Sequence, residues 1–242
     1  MPARRTPSKT AGRAQRQKRA APIGELIDRL DRAHPDAKLA LDFTSPLQLL
    51  VALILAAQCT DAKVNEVTPA LFRRFPTARE FASVSQEELE DCVRPTGFYR
   101  QKAKALRTCC QQLVERFGGQ VPSDLDALLS LSGVGRKTAN ILRGNAFGIP
   151  GIGVDTHVGR LSQRLGLTTE TEPDKIEADL TAVVPVAHQI RFCHLLQFHG
   201  RRVCLARKPD CPACVVQDIC PFPDKTEPAP PKKPATRSRW VG

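Results

Sequence analysis

The 242-residue sequence has no apolar run approaching the ~20 residues that a membrane span needs. Its greasiest stretch, Leu47 to Ala57, is short and contains Gln48, so it reads as a buried helix. An N-terminal apolar h-region is also missing, which excludes an ordinary secretory signal. No window shows strand alternation and no internal repeat is visible, which argues against sheet and solenoid architectures. Aromatic residues are scarce at 5%, with one tyrosine and one tryptophan, and Trp240 falls in a proline-rich tail away from any core pattern. Acid is absent from residues 1–21, which hold seven Lys/Arg. The nine cysteines do not form an even disulfide set. With Cys109 and Cys110 adjacent and no secretion signal, they fit a reducing cytosol.

What remains is a chain 41% hydrophobic, enough for one or two compact domains. The net charge of +11 is uneven: residues 1–21 carry +7 and residues 224–242 carry +3, leaving +1 for the body. The basic signal therefore belongs to the tails, residues 1–21 and 223–242, which lack apolar periodicity and are predicted to be disordered. The N-terminal tail is either a solubilising segment or an arm that contacts DNA.

Apolar spacing is helical throughout the body. Ile23, Leu26, Ile27 and Leu30 form one face. Ser45, Pro46 and Gln48 open a central buried helix with a capping box. Further helices are predicted at about 61–75, 85–93, 100–117, 156–165, 173–183 and 186–199. The organising stretch is Ser123 to His157. Ser123 and Asp126 have capping-box spacing before Leu125, Leu128 and Leu129, and a second helix starts near Gly135. Between them Gly133-Val134-Gly135 forms a tight hairpin whose backbone other groups can approach closely. The second helix thus presents free N–H groups from a loop without bulky side chains, a site suited to phosphate, with Arg136, Lys137 and Thr138 beside it. Alone, such a hairpin fits a module that only holds DNA as well as it fits an enzyme. Cys204, Cys211, Cys214 and Cys220 follow as C-x6-C-x2-C-x5-C. Four thiolates suit zinc or an iron–sulfur cluster, and spacing alone leaves both open.

L-S-G-V-G-R-K-T-A (131–139) resembles the helix-hairpin-helix of the endonuclease III family of DNA glycosylases, and V-D-T-H-V (154–158) resembles its catalytic aspartate segment. Ala56-Ala57-Gln58-Cys59-Thr60-Asp61 is similar to the family's S-A-Q-x-T-D, and the cysteine pattern is the one that family uses for a [4Fe–4S] cluster. The resemblance covers about residues 22–222. It implies an all-α fold of two lobes with a DNA-binding cleft: a six-helix barrel over 39–149 containing the hairpin (about 123–147), and a cluster lobe from 22–38 plus 150–222. It implies a bifunctional glycosylase and AP lyase acting on oxidised pyrimidines and abasic sites in double-stranded DNA, as a cytoplasmic, nucleoid-associated monomer with no membrane partner. Lys137 would be the nucleophile, its amine made more reactive by the helix N-terminus, partial desolvation and Arg136. Asp155 would stabilise positive charge on the sugar. Gln58 would fill the gap left by the flipped base. Phe98, at a position where relatives often carry leucine, would be the wedge, while Tyr99 reads as a packed residue. Arg100 and Lys102 would reach flanking phosphates, as would Arg207 and Lys208 in the loop between the first two cluster ligands. Ala56, Ser132 and Gly153 depart from the commoner serine, proline and alanine. The related adenine glycosylases share the cluster but usually lack a lysine at position 137 and add a C-terminal domain. A non-catalytic DNA-binding or redox-sensing protein would need neither Lys137 nor Asp155.

Overall fold

The computed structural model describes residues 20–227. The basic arm, apart from Ala20 and Ala21, and the tail from residue 228 with Trp240 lie outside the described residues. The described chain contains α-helices, two short 3-10 turns and no strand. The helices are α1 (Ile23–Ala33), α2 (Pro46–Leu55), α3 (Asp61–Arg74), α4 (Ala78–Ser83), α5 (Gln86–Val93), α6 (Tyr99–Phe117), α7 (Leu125–Leu129), α8 (Arg136–Phe147), α9 (Thr156–Arg164), α10 (Pro173–Val183) and α11 (Gln189–Arg202). Among the described residues none is long and apolar enough to cross a membrane.

Two apolar cores organise these helices. One runs from Leu41 to Leu142 and is enclosed by α2–α8. The other joins α1, through Leu26, Ile27 and Leu30, to α9, α10 and α11 and to Val216 beyond them. The centre of the first core is α2, which buries Leu49, Leu50, Val51, Ala52, Ile54 and Leu55. Each large side chain buried there contributes about 1.5–3 kcal/mol of transfer free energy, so α2 is the element that α3, α6 and α8 pack upon. The N-terminus of α2 is set by Ser45, whose Oγ accepts from the Gln48 amide at 3.2 Å.

Local details differ from the sequence reading where side chains compete for a cap. Gln48 Oε1 returns to the amide of Thr44 at 2.8 Å rather than to Ser45. Asp124, one residue beyond Ser123, caps α7, with Oδ1 accepting from the Ala127 amide at 2.9 Å. A carboxylate is a strong acceptor for free amides at a helix N-terminus and wins over the neighbouring hydroxyl. The short helix α4 is an addition, closed by a capping box between Thr77 and Glu80. Order also continues past Pro221. Thr226 Oγ1 accepts from the Cys211 amide at 3.2 Å and donates to the Pro209 carbonyl at 2.5 Å, folding the chain back over the cysteine loop.

Candidate active site and cysteine centre

The hairpin between α7 and α8 is built by two glycines with different tasks. Gly133 has φ +78°, and a Cβ there would lie 3.2 Å from Ala105 Cβ, so both the turn and its close packing require glycine. Gly135 is the N-cap of α8 with φ −95°, and nothing stands within 4 Å of where its Cβ would be. The open space above Gly135 and the free amides that follow it form the concavity an anion would occupy. The buried side chain of Val134 points into the core, leaving only its backbone for a ligand. Ser132, in place of proline, has an amide that donates to Gln112 Oε1 at 2.7 Å, a bond proline could not make.

Lys137 and Asp155 line two adjoining clefts where the two cores meet, one of about 1150 Å³ and one of about 830 Å³. The larger also takes in Ala56, Gln58, Cys59, Thr138 and His157. Asp155 is half-buried and caps α9: its Oδ1 accepts from the amides of His157 and Val158 at 2.9 and 2.7 Å. One carboxylate oxygen is thereby fixed and the other left for the cleft. Burial lowers the His157 imidazole below its ordinary pKa, with Asp155 pulling the other way. A Cβ on Gly200 would lie 2.8 Å from His157 Nδ1, so α11 also presses on this segment.

Two expectations for the cations change here. Lys137 is exposed, not partly desolvated, because the first turn of α8 projects from the core into the open cleft. The Arg136 guanidinium turns away to a bidentate pair with Glu177 on α10, at 2.8 and 3.0 Å. That hydrogen bonding raises the Arg136 pKa, and the arginine joins the lobes rather than standing free for phosphate. Lys102 is also corrected. It is 4% exposed and its Nζ donates to the Thr96 carbonyl at 2.7 Å, because α6 already begins at Tyr99 and places position 102 on its inner face. Arg100, Phe98 and Gln58 remain exposed, as do Arg207 and Lys208. Gln58, Phe98 and Lys208 are the non-glycine residues with positive φ among the described residues, at 52°, 48° and 52°. Strained backbone at a non-glycine residue persists where the surrounding structure over-determines it, and it concentrates at functional sites. Tyr99 packs against the core, with the Arg94 guanidinium 4.6 Å from its ring centre. Arg201 and Arg202, which flank the cysteine loop, are paired with Asp61 and Asp36.

Cys204, Cys211, Cys214 and Cys220 are half-buried free thiols lining one small cavity of about 30 Å³. Among the described residues no three potential ligands converge on a single-ion site. Four thiols lining one cavity are a donor set that suits an iron–sulfur cluster or a tetrahedral zinc. The walls suit thiolates too. Arg164 Nη1 donates to Cys204 Sγ at 3.2 Å, and His199 Nε2 lies 3.4 Å from Cys214 Sγ. Burial pushes the Cys214 thiol up to about 11, so bound metal must replace its proton to stabilise a thiolate. Pattern reading missed the arginines that connect this centre to α9. Arg160 Nη2 donates to the carbonyls of Gly200 and Cys204 at 3.1 and 3.0 Å, and Arg164 to those of Leu205 and Ala206 at 2.8 and 3.0 Å. The available signal was their i, i+4 spacing on one helix face.

Residues 51–186 match the model of the HhH-GPD superfamily of base excision DNA repair proteins, and residues 204–220 match the iron–sulfur binding domain of endonuclease III. The chain is 49% identical over 198 residues to endonuclease III of Synechocystis sp., covering 81% of this chain and 90% of that one. It also resembles, at 40% identity, a solved non-covalent endonuclease III–DNA complex, with a TM-score of 0.79 covering 83% of this chain and 94% of that one. A trapped endonuclease III–DNA covalent intermediate is similar to the same degree, with a TM-score of 0.79, 40% identity and coverage of 83% and 94%.

Proposed function

This chain belongs to the endonuclease III family, enzymes that act as DNA glycosylases and AP lyases in base excision repair, and from that premise we propose that it removes oxidised or ring-saturated pyrimidines from duplex DNA and cleaves the abasic strand through a Schiff base on Lys137. The observation that carries this reading is the placement of Lys137, Asp155 and Gln58 around one cleft, with Lys137 at the N-terminus of α8 and Asp155 at that of α9.

In this mechanism DNA lies across the cleft with a phosphate on the open amides after Gly135. The flipped nucleotide enters between Lys137 and Asp155, while Gln58 and Phe98 fill the gap in the stack and offset part of the few kcal/mol lost on unstacking. An amine must be neutral to attack, and exposed Lys137 loses solvent when DNA closes over it. Its lone pair attacks C1′, and the bond to the base breaks with its electron pair going to the base, which is then protonated. Asp155, its carboxylate held by two amides, stabilises the positive charge that develops on the sugar. The sugar ring opens to the imine. Loss of a C2′ proton expels the 3′ phosphate, and water then releases Lys137. The protein acts as a monomer, since one chain supplies every group named.

Cys204, Cys211, Cys214 and Cys220 would hold the [4Fe–4S] cluster of the family, which would supply iron–thiolate bonds that cross-link the C-terminal loop. This chain's own part is to present exposed Arg207 and Lys208 from that loop to phosphates. Borohydride added during reaction should trap a covalent protein–DNA complex with the wild type. Lys137→Gln should bind DNA and give no such complex; trapping by that variant at the wild-type level would refute the assignment. A panel of defined lesions in duplex oligonucleotides tests the substrate class, and preferential release of undamaged or purine bases would overturn it.

A further inference from the structure

The buried ammonium of Lys102 has no place in the mechanism above. It lies in the first turn of α6 at 4% exposure. Two effects disfavour a cation there. Burial lowers the lysine pKa, and the N-terminal turn of a helix carries partial positive charge. A side chain needed only to fill space at this position would be leucine or methionine. The ammonium instead grips the carbonyl of Thr96, at 2.7 Å. Thr96 is itself anchored, with Oγ1 donating to the Val93 carbonyl at 2.8 Å. Immediately after it Gly97 and Phe98 take positive φ of 69° and 48°, and no side chain caps the helix that begins there. The 3-10 turn at Arg94–Thr96 packs against both α3 and α6, so the carbonyl that Lys102 grips sits on a supported segment.

We propose that Lys102 is a positioning residue for base extrusion, a buried strut beneath the Gly97–Phe98 loop that holds Phe98 in the left-handed conformation from which it enters the duplex. The inference rests on the reading of Phe98 given under Proposed function. It assigns Lys102 no contact with DNA and no proton transfer.

The test separates base extrusion from strand cleavage. Lys102→Met keeps most of the side-chain volume and removes both charge and donors. Extrusion is followed by the fluorescence of 2-aminopurine placed beside a lesion in duplex DNA, excision by single-turnover rates on the same duplex, and lyase chemistry on a single-stranded abasic oligonucleotide, where no base pair has to open. We expect the variant to lose the fluorescence rise and to slow duplex excision by about tenfold or more, with single-stranded cleavage within about twofold of wild type. Lys102→Arg, which keeps charge and donors, should recover part of the extrusion signal. Wild-type fluorescence and excision in Lys102→Met would overturn the proposal, as would an equal loss on both substrates. If Lys102→Met does not fold, Lys102→Gln, polar but too short to span to Thr96, takes its place under the same outcomes. Failure of the wild type itself to cleave abasic DNA would instead overturn the lyase reading beneath it.

Discussion

Gly153 stands where an added Cβ would lie 2.7 Å from Ile141 Cγ1 and 3.6 Å from the Lys137 carbonyl. The methyl that an alanine would bring is thus already supplied by the longer branch of Ile141, in the seam between the helix of Lys137 and the segment leading to Asp155. Gly153→Ala should overpack that seam, costing about 1–3 kcal/mol and slowing excision; adding Ile141→Ala, which removes Cγ1, should recover the excision rate in single-turnover kinetics. Ser132 has a similar partner. Ser132→Pro should remove its bond to Gln112, lowering stability by about 1 kcal/mol in denaturant unfolding. The sequence marks Gly153 and Ser132 as departures from the family pattern, but not Ile141 and Gln112 as their compensations, because such contacts arise from packing between elements. Lys102 shows the same limit in reverse. Its neighbours Arg100 and Gln101 make it look like one more surface cation, and only the start of α6 at Tyr99 turns it inward.

At the scale of elements, α9 joins the two halves of the site. Asp155 caps its N-terminus, and Arg160 and Arg164 fasten its later turns to the chain around Cys204. Arg164→Met would remove a donor to Cys204 Sγ and the hold on two carbonyls. The visible absorption of the cluster should bleach faster under oxidant in that variant, and unfolding should cost about 1–3 kcal/mol less; unchanged bleaching would leave Arg164 without the role. The long helices were legible because their apolar stripes span several turns. By contrast α4 has six residues, shorter than the window over which helical periodicity can be counted, and only Thr77 and Glu80 announce it.

At the scale of the whole molecule, two ion pairs bridge the cores beside the catalytic cleft, Arg136 with Glu177 and Arg201 with Asp61. Arg136, which stands beside the phosphate site in the sequence, is thereby engaged within the protein, and its acidic partner lies far away along the chain where local pattern cannot show it. The body has only +1 net charge against +7 on residues 1–21, so the arm is expected to add general attraction to DNA. Each phosphate neutralised adds about −0.9 to the slope of log affinity against log salt. Deleting residues 1–19 should make that slope shallower by about two to three units if two or three phosphates are touched, with lesion ranking unchanged because phosphate contacts carry no base information; an unchanged slope would make the arm a solubilising tail. The second core, finally, takes α1 from one end of the chain and Val216 from the other. During synthesis α1 emerges first and then waits, its Leu26, Ile27 and Leu30 without a partner, while the whole first core is translated and can fold. The four cluster cysteines follow all of these helices. A ribosome-stalled chain ending before residue 204 should leave α1 open to protease with the first core already resistant.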